Sequence, residues 1–567
     1  MLLLAPGTDR RPPGPAERRP EPAAAGRGRR LAGLIPGLEL VPGLGIGLGM
    51  GLSMGALLIW GLGRPAFWLD EGASVVATQR SWPDLFRLLQ GADAPLVPYY
   101  TVLKVLVAAV ERLAPGLAGL PELVFRLPSA IAVTLASALL IGWLSRTAGP
   151  LPALATGALL LLTGGVSRYG QEARPYGLVL LGAVLATLLW TGLVRRTGPW
   201  WVVGYGLTVA AMVALHDLSA VLVAAHAVAA VTAVEPGRRR TAAVRTAGAG
   251  ALGLALVSPL AMTTASHGGG ATKFLTLTPA HLLSAFVGLF SATGTPLLGV
   301  GPIVLLALLG LTRIWSTRER FAARVAAAWA IVPPALLVPA VMLRPNLLIG
   351  RYLMFAVPAW TVLAGLGLLT LADAARAVLA RARFPRPATG VAALAVAAAV
   401  LAGTALVQVP TLVRVRTVAG HGEDIRPALA AAARASDARL PIVVSSRLGA
   451  IELGAYQSPA QRRLLGLDVQ RDGSMIWPVS VPYPGRSQLL KDDPRLLLLL
   501  RDPVKPGCVE SAGVTSAAQI ARCMPAGLRR LHYRVLGPGV GGFGWSLSTL
   551  ARSATRRSPK PSTTAIS

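Results

Sequence analysis

"YYTVLKVLVAAVERLAP", residues 99–115, is the stretch on which the topology turns. It is apolar enough to cross a bilayer, yet Lys104, Glu111 and Arg112 suit a helix lying along one. If it crosses, every later segment is inverted. The rest of the chain supplies the test. Of 567 residues, 53% are hydrophobic and only 14% charged, and the mean hydropathy is +0.58. A soluble globular chain is about a quarter charged, and roughly twenty apolar residues in helix cross ~30 Å of hydrocarbon. Apolar runs near that length recur through residues 31–407, so the chain reads as a polytopic membrane helical bundle.

The N-terminal residues 1–30 are rich in Pro, Gly and Arg and read as a disordered, basic, cytoplasmic segment. The apolar run that follows, to residue 63, is too long for a secretory signal and reads as an uncleaved first span. Ten more spans are expected at 127–145, 150–164, 176–194, 200–214, 217–234, 246–264, 297–313, 325–343, 352–371 and 389–407. With 99–115 laid in the interface, the clusters at Arg146, Arg195–Arg196, Arg238–Arg240, Arg313–Arg324 and Arg376–Arg386 all face the same side as the Arg-rich N-terminus. That choice predicts eleven spans in a multi-pass plasma-membrane protein, N-terminus cytoplasmic and C-terminus extracytoplasmic. The net charge of +30 is then a set of topology signals scattered between apolar segments, not a nucleic-acid surface.

The polar clusters at span ends fall on the external side: "FWLDEG" (67–72) and "DAPLVPYY" (93–100) in the long loop 64–126, "SRYGQEARPYG" (167–177), "HDLS" (216–219), "SHGGGATKFLTLTPAH" (266–281) and "RPNLLIGRY" (344–352). Carboxylates, an imidazole, Arg and Lys thus converge at one membrane face, as an interfacial active site requires.

Six pieces, "FWLDEG", "PYY", "FRLPSA" (125–130), "QEARPYGL" (171–178), "HDLSAVLVAAH" (216–226) and "GRYLMFAVPAW" (350–360), occur in an order and spacing that resemble the GT-C superfamily of membrane glycosyltransferases. The resemblance is to the family 39 branch holding protein O-mannosyltransferases, aminoarabinose transferase and actinobacterial relatives, and covers most of residues 40–375. It implies inverting transfer of a sugar, mannose first and arabinose second, from a polyprenyl-phosphate donor to a hydroxyl on a glycan or protein acceptor outside the membrane.

By match to the family, Asp70 is the expected general base, with Glu71 orienting it or contacting the acceptor. The leaving lipid phosphate needs cations to receive its charge; Arg174, Arg351, His216 and Lys273 are the candidates, Arg being the better bidentate partner. Trp68, Tyr99, Tyr100, Glu172 and Tyr176 are expected to line the substrate site. The duller readings are snorkelling for Arg174 and Arg351, an interfacial aromatic belt for Tyr99 and Tyr100, and a helix-end cap for His216; His226, ten residues deeper, reads as structural.

Two departures from the family stand out. Before the Tyr pair, where many members have His or Glu, this chain has Asp93–Ala94–Pro95, and Glu172 is the sole acid in the loop after the third span. No cofactor is therefore expected with certainty; a divalent cation held by Asp93 and Glu172 is the one alternative, and no metal ligand set is assigned.

Residues 408–551 change character. "PIVVSS" (441–446) and "RLLLLL" (495–500) have strand-like length and "RPALAAAARASDA" (426–438) reads as helix, so a small α/β extracytoplasmic domain is expected before a basic tail at 552–567. Cys508 and Cys523 are the only cysteines, without a metal-ligand neighbourhood, and outside the cell they would pair as a disulfide. Two other functions fit the composition. A glycolipid flippase or transporter would want midplane charges and repeated broken helices. A non-catalytic glycolipid-binding relative would lack the intact Asp–Glu pair.

Overall fold

The computed structural model describes residues 41–91, 93–267, 278–291, 296–343, 350–434, 442–444, 447–456, 495–501, 513–524, 528–529, 532–536, 538–541 and 545–552. The expected N-terminal segment 1–30, the tail beyond 552, Lys273 and Cys508 lie outside the described residues.

Each expected span falls on one apolar helix or one closely spaced pair. The bundle begins with α1 (Val41–Ile59). Outside the eleven, α2 (Leu69–Thr78) and α3 (Val97–Leu113) follow, with the six-residue helix Trp82–Arg87 between them. Then come α4 (Pro121–Thr147) and α5 (Pro150–Leu161), which meets α6 (Gly164–Gly170) at a 66° bend. The bundle continues through α7 (Tyr176–Arg195), α8 (Pro199–Leu215), α9 (Val221–Thr232) and α10 (Arg239–His267). The short α11 (Pro279–Val287) precedes α12 (Pro296–Gly310), α13 (Arg320–Leu343), α14 (Val357–Arg381) and α15 (Arg386–Arg414). α15 runs on to Arg414 rather than ending at 407.

Local sequence sets the turns. Gly149 (φ +106°) and Gly198 (φ +130°) adopt left-handed backbone and each is followed by a Pro that starts the next helix. Small residues set the closest crossings. A Cβ on Gly47 would lie 2.6 Å from the Ala138 carbonyl, and one on Gly367 would lie 1.7 Å from that of Leu306. α1 therefore beds on α4, and α14 on α12, at backbone distance, as small residues allow where helices meet in lipid. Polar side chains inside the bundle pair with one another. His226 sits between the Tyr205 hydroxyl (3.0 Å) and Thr187 Oγ1 (3.1 Å), stacked on Trp190 at 5.3 Å. It is a structural histidine, as its depth in the sequence suggested.

The deciding stretch forms α3, which turns Tyr99, Tyr100, Leu103 and Val107 inward into one cluster with Phe67, Ala73 and Val75. Lys104 donates from Nζ to the carbonyls of Thr78 (2.6 Å) and Arg80 (2.8 Å), so α3 caps the C-terminal end of α2 with a cation. By length and composition, Ala94–Leu113 is also among the helices long and apolar enough to cross a membrane.

The C-terminal part is the expected small α/β unit. Its strands are β1 (Ile442–Val444), β2 (Arg495–Arg501), β3 (Gly513–Thr515), β4 (Tyr533–Val535), β5 (Gly539–Gly541) and β6 (Trp545–Arg552), in the order β1-β2-β6-β5-β3 with β4 also on β6. β1 runs parallel to β2; the longest pairing, β2 on β6, is antiparallel from Arg495 opposite Ala551 to Arg501 opposite Trp545. Successive residues of β2 face opposite ways. Leu497 packs with Ile425, Ala428 and Leu453, whereas Leu498 packs with Ile520, Met524 and Leu528. The first group places α16 (Arg426–Arg434) and α17 (Arg447–Ala455) on one face, and the second places α18 (Ala517–Cys523) on the other.

Candidate active site

Between α1 and α2 the chain has no regular structure, and Trp68 enters α2 in extended geometry (φ −90°, ψ 172°). Asp70 and Glu71 therefore occupy the first turn, where free backbone N–H groups and the helix dipole favour carboxylates.

Asp70 is the carboxylate at the vestibule. Its Oδ2 accepts from Arg351 Nη2 at 2.6 Å and lies 4.0 Å from Arg174 Nη2, and Arg174 Nη1 donates to the Asp70 carbonyl at 3.3 Å. Arg351 Nε donates to the Tyr176 hydroxyl at 2.9 Å, and its guanidinium lies 5.2 Å from the Trp68 ring centre. His216 joins from the α8–α9 turn, its ring 4.8 Å from Tyr352 and 6.1 Å from Tyr176. Four segments far apart in sequence thus meet at one end of the bundle: the start of α2, the α6–α7 turn, the α8–α9 turn and the segment leading into α14. Trp68, Asp70, Arg174, Tyr176, His216 and Arg351 come together as the sequence suggested. Arg174 Nε, His216 Nδ1 and Trp68 Nε1 are buried there and reach no hydrogen-bond partner among the described residues. Buried polar atoms of this kind are rare and call for an explanation. Burial holds the His216 imidazole below its ordinary pKa, with Asp217 opposing, so it is neutral at pH 7.

Glu71, expected to orient Asp70 or to contact the acceptor, is fully enclosed. The residue is 0% exposed. Its two oxygens accept from Arg126 Nε (2.7 Å) and Nη2 (2.6 Å) and from the Ala173 backbone N–H (2.9 Å), and lie 3.1 Å from His421 Nδ1. Burial by itself pushes this carboxyl up, but the Arg126 guanidinium holds it well below the usual carboxylate range. Arg126 completes its set by donating to the carbonyls of Leu62 (2.9 Å), Pro65 (2.8 Å) and Ala66 (3.0 Å). Glu71 is thus the anchor of a buried knot, and the loop bearing Asp70 is tied to α4 through it.

Tyr99 and Tyr100 are buried in the cluster they share with α2, and their hydroxyls reach no hydrogen-bond partner among the described residues. Glu172 is buried and taken up by Arg168 Nε at 2.6 Å; burial, with Arg168 opposing, pushes its carboxyl up. Asp93 is also buried. Among the described residues no three His, Cys, Asp or Glu side chains group as a metal centre; Glu172 gives Oε1 to Arg168, while its Oε2 reaches no hydrogen-bond partner among them. Lys273 and the Cys508 half of the expected disulfide lie outside the described residues; Cys523 ends α18.

Sequence reasoning missed Arg126, His421 and Arg168, whose guanidinium lies 5.9 Å from Trp68. Arg126 did leave a signal: it sits in "FRLPSA", a cation at the head of a long apolar helix, where a charge needs a partner. His421, some 350 positions from Glu71, left none.

No family model matches the sequence, and no curated protein is similar to it. The fold is similar to solved structures. A crystal structure of ArnT from Cupriavidus metallidurans bound to undecaprenyl phosphate superposes with a TM-score of 0.50 and 14% identity, over 90% of this chain and 98% of that one. The apo form of the same protein gives 0.49 and 13%, over 89% and 98%. Arabinosyltransferase EmbB from Mycobacterium smegmatis, seen by single-particle cryo-EM, gives 0.39 and 15%, over 73% of this chain and 43% of that one. By the first superposition, the chain shares the polytopic helical fold of that ArnT structure.

Proposed function

We propose that this protein is an inverting glycosyltransferase that moves a sugar from a polyprenyl-phosphate donor to an acceptor hydroxyl on the extracytoplasmic side of the plasma membrane. The observation that carries the reading is the cluster of buried polar atoms without hydrogen-bond partners, Arg174 Nε, His216 Nδ1 and Trp68 Nε1, around the Asp70 carboxylate. The Arg and Trp N–H groups among them, beside two guanidinium groups, suit an anionic head group. The similarity to an ArnT that binds undecaprenyl phosphate makes a lipid phosphate the first choice. Mannose is the first sugar to test and arabinose the second.

The chemistry is one displacement. The acceptor oxygen forms its bond to the anomeric carbon as the bond from that carbon to the phosphate oxygen breaks, with inversion. The acceptor proton passes to Asp70. The polyprenyl phosphate leaves with its growing charge received by Arg351 and Arg174, while neutral His216 donates or accepts a hydrogen bond at the same group. Both cations engage Asp70 through Oδ2; no described donor reaches Oδ1, which is the oxygen available to an incoming hydroxyl. A carboxylate is a weak base, so proton transfer comes late in the displacement. Each well-aimed donor to the leaving group is worth about 3–4 kcal/mol of barrier.

The test is transfer from radiolabelled polyprenyl-phosphate mannose and arabinose in membranes, wild type beside Asp70→Asn. Loss of at least 10³-fold in the variant, with donor binding retained, is the expected result, on the scale of removing a catalytic base. Equal transfer by both proteins removes the base assignment. Binding of the glycolipid by wild type without transfer to any acceptor makes the protein a non-catalytic binder.

A further inference from the structure

We propose that the C-terminal α/β unit is a working part of the active site, and that the Tyr456 hydroxyl is the positioning group through which it holds Asp70 in place. The proposal rests on the glycosyltransferase reading for its catalytic consequence but not for its geometry.

The segment 62–68 leads into α2 and carries Trp68, two residues before Asp70. It is neither helix nor strand, so its backbone groups must be satisfied from elsewhere. They are satisfied from two directions. The membrane bundle supplies Arg126, which takes the carbonyls of Leu62, Pro65 and Ala66. Beside local turn bonds such as Leu62 N–H to Ile59 and Arg64 N–H to Gly61, the C-terminal part supplies two more. The Phe67 N–H donates to the Tyr456 hydroxyl at 2.8 Å, and Arg426 Nη2 donates to the Arg64 carbonyl at 2.8 Å.

Those two side chains converge on one buried acid of α4. The Tyr456 hydroxyl donates to Glu122 Oε1 at 3.0 Å, and Arg426 Nη1 reaches the same oxygen at 3.0 Å. The Tyr456 ring packs 5.5 Å from that of Phe67, which in turn meets Phe125 edge-on at 5.9 Å. α17, which ends just before Tyr456, lies along α2: a Cβ on Gly72 would sit 3.4 Å from the Glu452 Cα and 3.5 Å from the Ile451 carbonyl. One hydroxyl therefore links the Asp70 loop, a membrane helix and the C-terminal unit. It fixes the entry of α2 and with it the direction of the carboxylate three residues past Phe67. Losing only that hydroxyl keeps the ring and its packing but frees the Phe67 amide and leaves Glu122 Oε1 to Arg426 alone.

The experiment compares full-length wild type, Tyr456→Phe and Arg426→Gln in lipid nanodiscs. Hydrogen exchange followed by mass spectrometry reports the segment 62–70 directly. Tyr456→Phe is expected to speed exchange there roughly five- to tenfold, the scale of one lost hydrogen bond, while peptides from α7–α9 stay unchanged. Transfer assays are expected to show kcat lowered roughly tenfold with the donor KM unchanged, since misplacement by a fraction of an ångström costs rate and not affinity. Added to Asp70→Asn, the Tyr456→Phe change is expected to lower transfer no further, because it acts through that carboxylate. Exchange at 62–70 equal to wild type overturns the proposal whatever the activity. So does faster exchange with unaltered kcat, or an effect that multiplies with Asp70→Asn. If wild type transfers no sugar at all, the glycosyltransferase reading falls, and the exchange data still decide whether the clamp exists.

Discussion

Glu71→Gln offers the sharpest perturbation, because it removes a charge and almost no volume from a sealed position. In the native protein the carboxylate faces two guanidinium nitrogens at 2.6 and 2.7 Å, one backbone N–H at 2.9 Å and the His421 ring at 3.1 Å. A glutamine can still accept from one side, but its amide nitrogen is itself a donor and meets Arg126 or the Ala173 N–H donor to donor. The fully buried guanidinium keeps its three carbonyl partners and loses its counter-charge. Breaking a buried pair by neutralising one partner costs about 3–5 kcal/mol; the surviving carbonyl bonds put the cost near the lower end. Against a total of about 5–15 kcal/mol for a folded domain, the variant should fold with a clearly lowered stability. Arg126→Gln alone strands a carboxylate and three carbonyls and should cost more. The double variant strands neither charge, so it should be about 2–3 kcal/mol better than the sum of the singles. The assay is unfolding by SDS titration in mixed micelles, followed by tryptophan fluorescence. The sign with pH is fixed as well. The folded carboxyl is held below its ordinary value near 4.5, so its contribution is whole above that pH and is lost as pH falls through the folded value. Measurements at pH 7–8 therefore carry the full effect, and Glu71→Gln should flatten the acid limb. Singles within 1 kcal/mol of wild type, or strictly additive losses, would refute the reasoning.

Two further outcomes test the vestibule and its surroundings. Arg351→Lys keeps the charge but cannot hold Asp70 and the Tyr176 hydroxyl at once; transfer should fall roughly 10²-fold, mostly in kcat, and a loss under twofold would show that the guanidinium geometry is not used. Burial keeps the His421 pKa well below its ordinary 6.5, so the unfolded chain gains a proton that the folded one does not as pH drops below 6.5. Stability should then fall by about 1.4 kcal/mol per pH unit for this group, and His421→Asn should remove that slope from an SDS-unfolding series between pH 6.5 and 5; an unchanged slope would show that His421 is not buried neutral.

How far the sequence could be read followed the range of the interactions. The bundle helices were legible because each is a local property, a run of apolar residues closed by Gly–Pro turns or Arg clusters; among the described residues seven are long and apolar enough to cross a membrane, or eight with the bent pair, against the eleven expected, and Ala94–Leu113 is one of the seven. The meeting of Asp70, Arg174, His216 and Arg351 was legible at one remove, since topology alone sends those span ends to one face. The helix at 97–113 was visible, but not that Lys104 turns in to cap α2. What stayed hidden are contacts that no periodicity reports. Arg126 works mainly on backbone carbonyls, which every residue has, so nothing in the letters Leu62, Pro65 and Ala66 marks them as its targets. His421 and Tyr456 come from beyond the last bundle helix, and their partners at Glu71 and Phe67 lie 350 and 389 positions away.

The first acidic pair of a strongly basic chain has two tasks, and helix geometry explains why they fall on neighbours. Consecutive side chains on an α-helix diverge by about 100°. At the start of α2, Glu71 therefore points into the bundle while Asp70 points across the vestibule. The inward acid has every oxygen occupied and a pKa driven down, which suits permanent ionisation and a fixed position. The outward acid keeps some exposure and shares its one engaged oxygen with cations that a phosphate would also attract. Environment, rather than residue type, separates an anchor from a base. Exchanging their chemistry by swapping residue identities, Asp for Glu, would leave each role on its own face of the helix, because the full enclosure of position 71 and the slight exposure of position 70 belong to the backbone that Arg126 and the C-terminal unit hold in place.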